Sequence, residues 1–92
     1  FSLTSMSMTV IDVRSKDEWN TGYLEGALHI EWHDILQIST QISKDEQIYL
    51  YCRSGNRSKK ATKILLEAGY INAKNAGSIN EASKLLGLDI IN

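Results

Sequence analysis

Tyr49-Leu50-Tyr51-Cys52-Arg53-Ser54-Gly55-Asn56-Arg57-Ser58 decides how this chain is read. An apolar run, Ile48 to Tyr51, delivers the one cysteine to a short loop carrying a glycine and two arginines, and an amphipathic pattern begins directly after it. The order is strand, cradle, helix start. A loop wrapped around a side chain at a helix N-terminus aims unpaired backbone N–H groups at it, and the helix dipole adds positive potential there. Both effects favour the thiolate, the reactive form of cysteine. Gly55 is expected where the chain turns tightly and where a side chain would obstruct the sulfur. Ser58 is expected to cap the following helix through its hydroxyl, and Arg53 and Arg57 to hold the charge of an anionic substrate. A lone cysteine after an apolar strand is more often an inert core residue. A core, however, has no use for the arginines, serines, glycine and asparagine that crowd the positions after Cys52.

The segments on either side alternate between strand and helix patterns. Val10-Ile11-Asp12-Val13 reads as a first strand, with Asp12 near its carboxyl end, where functional groups gather in open α/β sheets. Ser15 and Glu18 have capping-box spacing and predict a short helix through Trp19 that ends before Gly22. Ala27 to Ile30 reads as a second strand. Its His29 is the obvious partner for a cysteine nucleophile, but no third group is placed to orient that ring or the ring of His33, so both read as packing or surface residues. Trp32, Ile35, Leu36, Ile38 and Ile42 predict a helix with one buried face, followed by the polar connection Ser43 to Glu46. Ile48 to Tyr51 is apolar on both faces, as in the middle of a parallel sheet covered by helices. Ala61, Ile64, Leu65 and Ala68 line one face of the helix after the loop, which stops at Gly69. Tyr70 to Ala73 is expected to open a fourth strand, Ala76-Gly77-Ser78 a turn, and Asn80 to Leu86 a last helix. The implied class is α/β, with a mostly parallel central sheet flanked by helices.

Bulk properties narrow the function. The chain has 92 residues, room for a single domain over 1–92 that buries roughly 60 to 70% of its unfolded surface. Ten basic residues against eleven acidic ones give no global field for nucleic acid or an acidic membrane. Lys59, Lys60 and Lys63 read as a solvated helix face. One cysteine leaves no internal disulfide, and no Cys/His cluster has zinc-ligand spacing, so neither metal nor other cofactor is expected. No apolar run is long enough to cross a membrane. Ser2 to Thr9 has the look of a trimmed end, compatible with a removed leader.

The loop Cys52-Arg53-Ser54-Gly55-Asn56-Arg57-Ser58 resembles the active-site loop of a rhodanese domain, in particular that of the small single-domain rhodaneses of the phage-shock protein E type. Asp12-Val13-Arg14, Glu18-Trp19, Gly22-Tyr23-Leu24-Glu25-Gly26-Ala27, Ala68-Gly69-Tyr70 and Asn75-Ala76-Gly77 resemble further marks of that family, in its order and over nearly the whole chain. Tyr23 stands where the family usually has histidine, Glu31 where proline is frequent, and Ser78 where a second glycine is common. The resemblance implies a three-layer rhodanese-like fold, Asp12 close to the active site, Arg14 paired with an acidic residue such as Glu18, and Ser78 near the mouth of the site. It also implies no need for a catalytic histidine. Relatives of this type are exported to the periplasm, while the same domain occurs in cytoplasm.

The expected function is sulfur transfer from thiosulfate, or another small sulfane donor, to cyanide or a thiol through a persulfide on Cys52. Arg53, Ser54, Gly55, Asn56, Arg57 and Ser58 would bind the substrate, in a monomer with no nucleic-acid partner and no membrane insertion. A persulfide carrier or partner-docking module with little turnover is the alternative. A cysteine phosphatase or arsenate reductase also uses a cysteine in an anion-binding loop, but its signature has one residue more between cysteine and arginine than the Arg53 to Asn56 segment supplies here.

Overall fold

β1 (Met8–Asp12) and β4 (Gln47–Cys52) are the central strands of a four-stranded parallel sheet completed by β3 (Leu28–His29) and β5 (Ala73–Ser78), in the order β3-β1-β4-β5. The computed structural model describes residues 8–92. Of the stretch Ser2 to Thr9, residues 2–7 therefore lie outside the described residues, while Met8 and Thr9 belong to β1. Around the sheet run α1 (Lys16–Asn20), a 3-10 helix (Trp32–Thr40), α2 (Asn56–Glu67) and α3 (Ile79–Leu86). β2 (Tyr23–Leu24) and β6 (Ile90–Ile91) form a separate antiparallel ribbon that the sequence pattern did not reveal.

The side-chain alternation of the central strands separates two cores. Ile11, Ile48, Leu50 and Cys52 face one side, where Ile35 and Ile38 of the 3-10 helix and Ala61 and Leu65 of α2 cover them. Val10 and Tyr51 face the other, against Leu24, Ala76 and Ala82. This is the three-layer arrangement that the family resemblance implied, and it explains why Ile48 to Tyr51 had to be apolar on both faces. Each fully buried Ile or Leu contributes about 1.5–3 kcal/mol.

Two elements differ from their sequence reading. Trp32 to Thr40 is a 3-10 helix, with the Asp34 N–H donating to the Glu31 carbonyl at 2.9 Å and the Gln41 N–H to the Ile38 carbonyl at 2.9 Å. Its inward residues, Trp32, Ile35 and Ile38, recur every third position, the period at which 3-10 side chains eclipse, and Leu36 faces solvent instead of the core. Tyr70 to Ala73 is not a strand; β5 starts at Ala73 and continues through the expected turn to Ser78. Tyr70 closes α2 instead. Its N–H donates to the Leu65 carbonyl at 2.9 Å and the Gly69 N–H to the Leu66 carbonyl at 3.1 Å, a Schellman motif with Gly69 at φ +101°. The Tyr70 ring sits in the core with its hydroxyl donating to the Ile42 carbonyl, leaving Ile71 exposed. Among the described residues no helix is long and apolar enough to cross a membrane.

Candidate active site

The carboxyl end of β4 places Cys52 in full burial, and Gly55 then turns the chain into α2 with φ +95°, ψ −9°. That left-handed conformation is what requires glycine. A Cβ on Gly55 would meet the Gly77 Cα at an ordinary 3.5 Å, so steric obstruction is not the reason. No side chain caps α2 at Gly55. The sulfur takes that role: Cys52 Sγ accepts from the Gly55 N–H at 3.0 Å and from the Ser58 N–H, in the first turn of α2, at 3.4 Å.

Ser58 is not the N-cap that the spacing suggested, because the helix begins two residues before it at Asn56. Buried in the first turn, its hydroxyl lies 3.4 Å from Cys52 Sγ and donates to Asn75 Oδ1 at 2.6 Å. Burial pushes the Cys52 thiol up, but the Ser58 hydroxyl and the N–H groups of Ser58, Ser54 and Gly55 together outweigh it, and the thiol lies below its ordinary value. Arg53, Ser54 and Asn56 hold their side chains exposed around this cradle.

Arg14 pairs with an acidic residue as the resemblance implies, but that residue is Asp12, while Glu18 pairs with Arg57. Arg14 binds Asp12, with Nε 3.0 Å from both carboxylate oxygens and Nη2 2.6 Å from Oδ2, and also donates to the Gly22 carbonyl at 2.5 Å. Both residues are buried; the Asp12 carboxylate also accepts the Arg14 backbone N–H two residues further on, and Glu18 is left for another partner. That partner is Arg57, whose Nη1 and Nη2 lie 2.6 and 2.9 Å from the Glu18 oxygens. Glu18 thereby serves both the capping box with Ser15 and the cradle arginine, and Arg57 with the Ser15 contacts holds its carboxyl at about 2. Arg57 is not a free cation. Arg53 forms no ion pair among the described residues and lines a cleft of about 580 Å³ together with Arg14, Glu18, Ile79 and Asn80. Cys52 does not line this cleft.

His29 donates from Nε2 to the Arg14 carbonyl at 2.8 Å and stacks on Trp19, so the ring is used structurally. Tyr23 lies flat on the other partner of that stack, 3.8 Å from the Trp19 ring. His33 is exposed beside Glu31 and Asp34. Among the described residues no three of His, Cys, Asp and Glu converge as metal ligands would. Ser78 pairs in register with Cys52 and caps α3, its hydroxyl accepting from the Glu81 N–H at 3.1 Å.

The site residue that the sequence reading missed is Asn75. An Asn two positions before a glycine signals an Asx turn, which is found, the Gly77 N–H donating to Asn75 Oδ1 at 2.9 Å. Asn75 stands in register with Leu50, at the last pair before β5 shifts by one residue against β4.

Residues 3–84 match the pattern of the rhodanese-like domain. The chain belongs to the rhodanese-like domain family. The adenylyltransferase and sulfurtransferase UBA4 of Lodderomyces elongisporus is 36% identical over 91 residues, covering 87% of this chain and 20% of that protein. A sulfurtransferase of Allochromatium vinosum is 36% identical over 61 residues, 66% of this chain and 57% of that protein. Among solved structures, a rhodanese with anions from E. coli superposes with a TM-score of 0.76 at 27% identity, over 82% of this chain and 91% of that one. The chain thus spans only a fifth of the length of the fungal relative.

Proposed function

We propose that this rhodanese-like domain is a sulfurtransferase that moves sulfane sulfur from thiosulfate to a thiol or cyanide through a persulfide on Cys52. The observation that carries the reading is the cradle, in which backbone N–H groups of Gly55 and Ser58 point at a buried Sγ at the start of α2. In the first displacement the Cys52 thiolate attacks the outer sulfur of thiosulfate. The sulfur–sulfur bond of the donor breaks, its electron pair leaves on sulfite, and the new bond is the persulfide. In the second, a thiolate or cyanide attacks the outer persulfide sulfur and the Cys52 thiolate leaves, restoring the enzyme. The loop donors stabilise anionic sulfur at both stages, as an oxyanion hole does oxygen. Arg53, exposed beside the cleft and in no ion pair among the described residues, draws in the dianionic donor, while Arg57 acts through its pair with Glu18. The sulfurtransferase names of the relatives support the class of reaction. The Cys52 to Ser58 loop favours the phage-shock protein E type within the family.

A second reading, a persulfide carrier for a larger assembly, is favoured by the fact that the fungal relative is five times as long as the matched segment. One experiment separates the two. Intact mass is measured after incubation with thiosulfate, for the wild type and Cys52→Ser, with thiocyanate followed on addition of cyanide. Gain of one sulfur atom that needs Cys52, with thiocyanate turnover, is the expected result. Gain without turnover selects the carrier. No gain overturns both, and arsenate and phosphate esters are then the substrates to try.

A further inference from the structure

The Asn75 amide is held in one orientation: Nδ2 donates to the Gly55 carbonyl at 3.2 Å and Oδ1 accepts the Gly77 N–H at 2.9 Å. An amide oxygen only accepts, so the 2.6 Å contact between Ser58 Oγ and Asn75 Oδ1 is donated by Ser58. A hydroxyl has one proton. While that proton lies on Asn75, Ser58 turns a lone pair towards Cys52 Sγ, 3.4 Å away, an arrangement that accepts from a thiol S–H and opposes an anion.

We infer that Asn75 is a positioning residue, the resting place for the Ser58 proton whenever Sγ is neutral, from which the hydroxyl turns to Sγ whenever the sulfur is an anion. The inference rests on the Cys52 chemistry proposed above. When the thiol gives its proton to solvent, the Ser58 O–H rotates from Asn75 Oδ1 to the thiolate. Asn75, being exposed, keeps the Gly77 N–H and gains water. When Sγ becomes the inner atom of a persulfide, the charge moves to the outer sulfur and the Ser58 proton returns to Asn75. Asn75 therefore competes with the sulfur for one hydrogen bond. The other groups around Sγ are Arg57 of α2, with Glu18 of α1 and Asp12 of β1 acting on it, while Glu81 of α3 is held by the Ser78 N–H. All of these remain when Asn75 is replaced.

The consequence runs against the usual effect of removing a polar residue from a site. Asn75→Leu frees the Ser58 hydroxyl for the thiolate, so the midpoint of the pH profile for alkylation by iodoacetamide falls and the rate near pH 6 rises about three- to tenfold. Ser58→Ala moves the midpoint upward, and adding Asn75→Leu to Ser58→Ala changes nothing further. Loosening of the cradle through the lost Gly55 and Gly77 contacts would instead shift both backgrounds alike. A midpoint that stays or rises in Asn75→Leu and in Asn75→Ala, or that shifts equally with and without Ser58, overturns the inference. Urea unfolding of each variant verifies that the native state is being read. Alkylation needs no sulfur donor, so a protein that failed to form the persulfide would still report on Asn75.

Discussion

Arg14–Asp12 and Arg57–Glu18 have the same closest approach, 2.6 Å, and opposite surroundings. The side chains of the first pair are 7% and 0% exposed, those of the second 31% and 26%. In the first, the carboxylate accepts the Arg14 backbone N–H besides its guanidinium, and the guanidinium reaches on to the Gly22 carbonyl, so the pair fastens the end of β1 to the start of β2. In the second, water reaches both partners, and an incoming anion has only to compete with one carboxylate for Arg57. Distance does not separate a pair sealed inside the fold from one open to solvent; burial does.

The comparison breaks first at Asp12. Asp12→Ala leaves the Arg14 guanidinium buried without its anion, a loss of about 3–5 kcal/mol, large against the total stability of so small a domain. Urea unfolding should show it, with a melting temperature lower by roughly 15 °C or more. A loss below about 1 kcal/mol would mean that the buried pair is no more than a surface pair. Arg53→Ala, by contrast, should leave stability within about 0.5 kcal/mol and raise the KM for thiosulfate roughly five- to tenfold, because it removes a cradle cation that forms no ion pair among the described residues. An unchanged KM would shift donor capture to Arg57 or to the backbone N–H groups alone.

What could be read in the sequence follows how local each feature is. The capping box of Ser15 and Glu18, the strand apolar on both faces and the helix after Cys52 each depend on periodicity or on contacts within one turn, and each is present. The pairings were not readable. Glu18 lies 39 residues from Arg57 in the chain, and two acidic residues compete for two arginines with no local rule to divide them. Ser58 looked like a cap because serine before an amphipathic run usually is one. It became a ligand of the sulfur because Gly55, in the left-handed region, starts the helix earlier than the apolar pattern does. Asn75 was visible as a turn residue and hidden as a site residue, since its contact with Ser58 is made 17 residues away across the β4–β5 pairing, which leaves no mark in either segment alone.

Glu18→Gln sharpens the comparison with the smallest change, one oxygen for one nitrogen. In the native state the carboxyl lies at about 2, below its ordinary 4.5, so the stabilisation from ionised Glu18 is complete above the ordinary value and is lost as pH falls through about 2. The glutamine variant lacks that contribution at every pH. Its deficit in unfolding free energy should therefore be constant near neutrality, close progressively between pH 4.5 and 2, and vanish below. Both groups are a quarter to a third exposed, and water and salt screen them, so the neutral-pH deficit should be about 1 kcal/mol or less. Arg57 then meets a neutral amide, and the KM for thiosulfate should fall about two- to threefold as its charge becomes available to the donor. The two readouts have opposite signs, weaker folding and tighter capture. A variant that lost both would show that Glu18 holds Arg57 in a position the substrate needs, and one that changed neither would show that the pair is no more than a solvated contact at the rim.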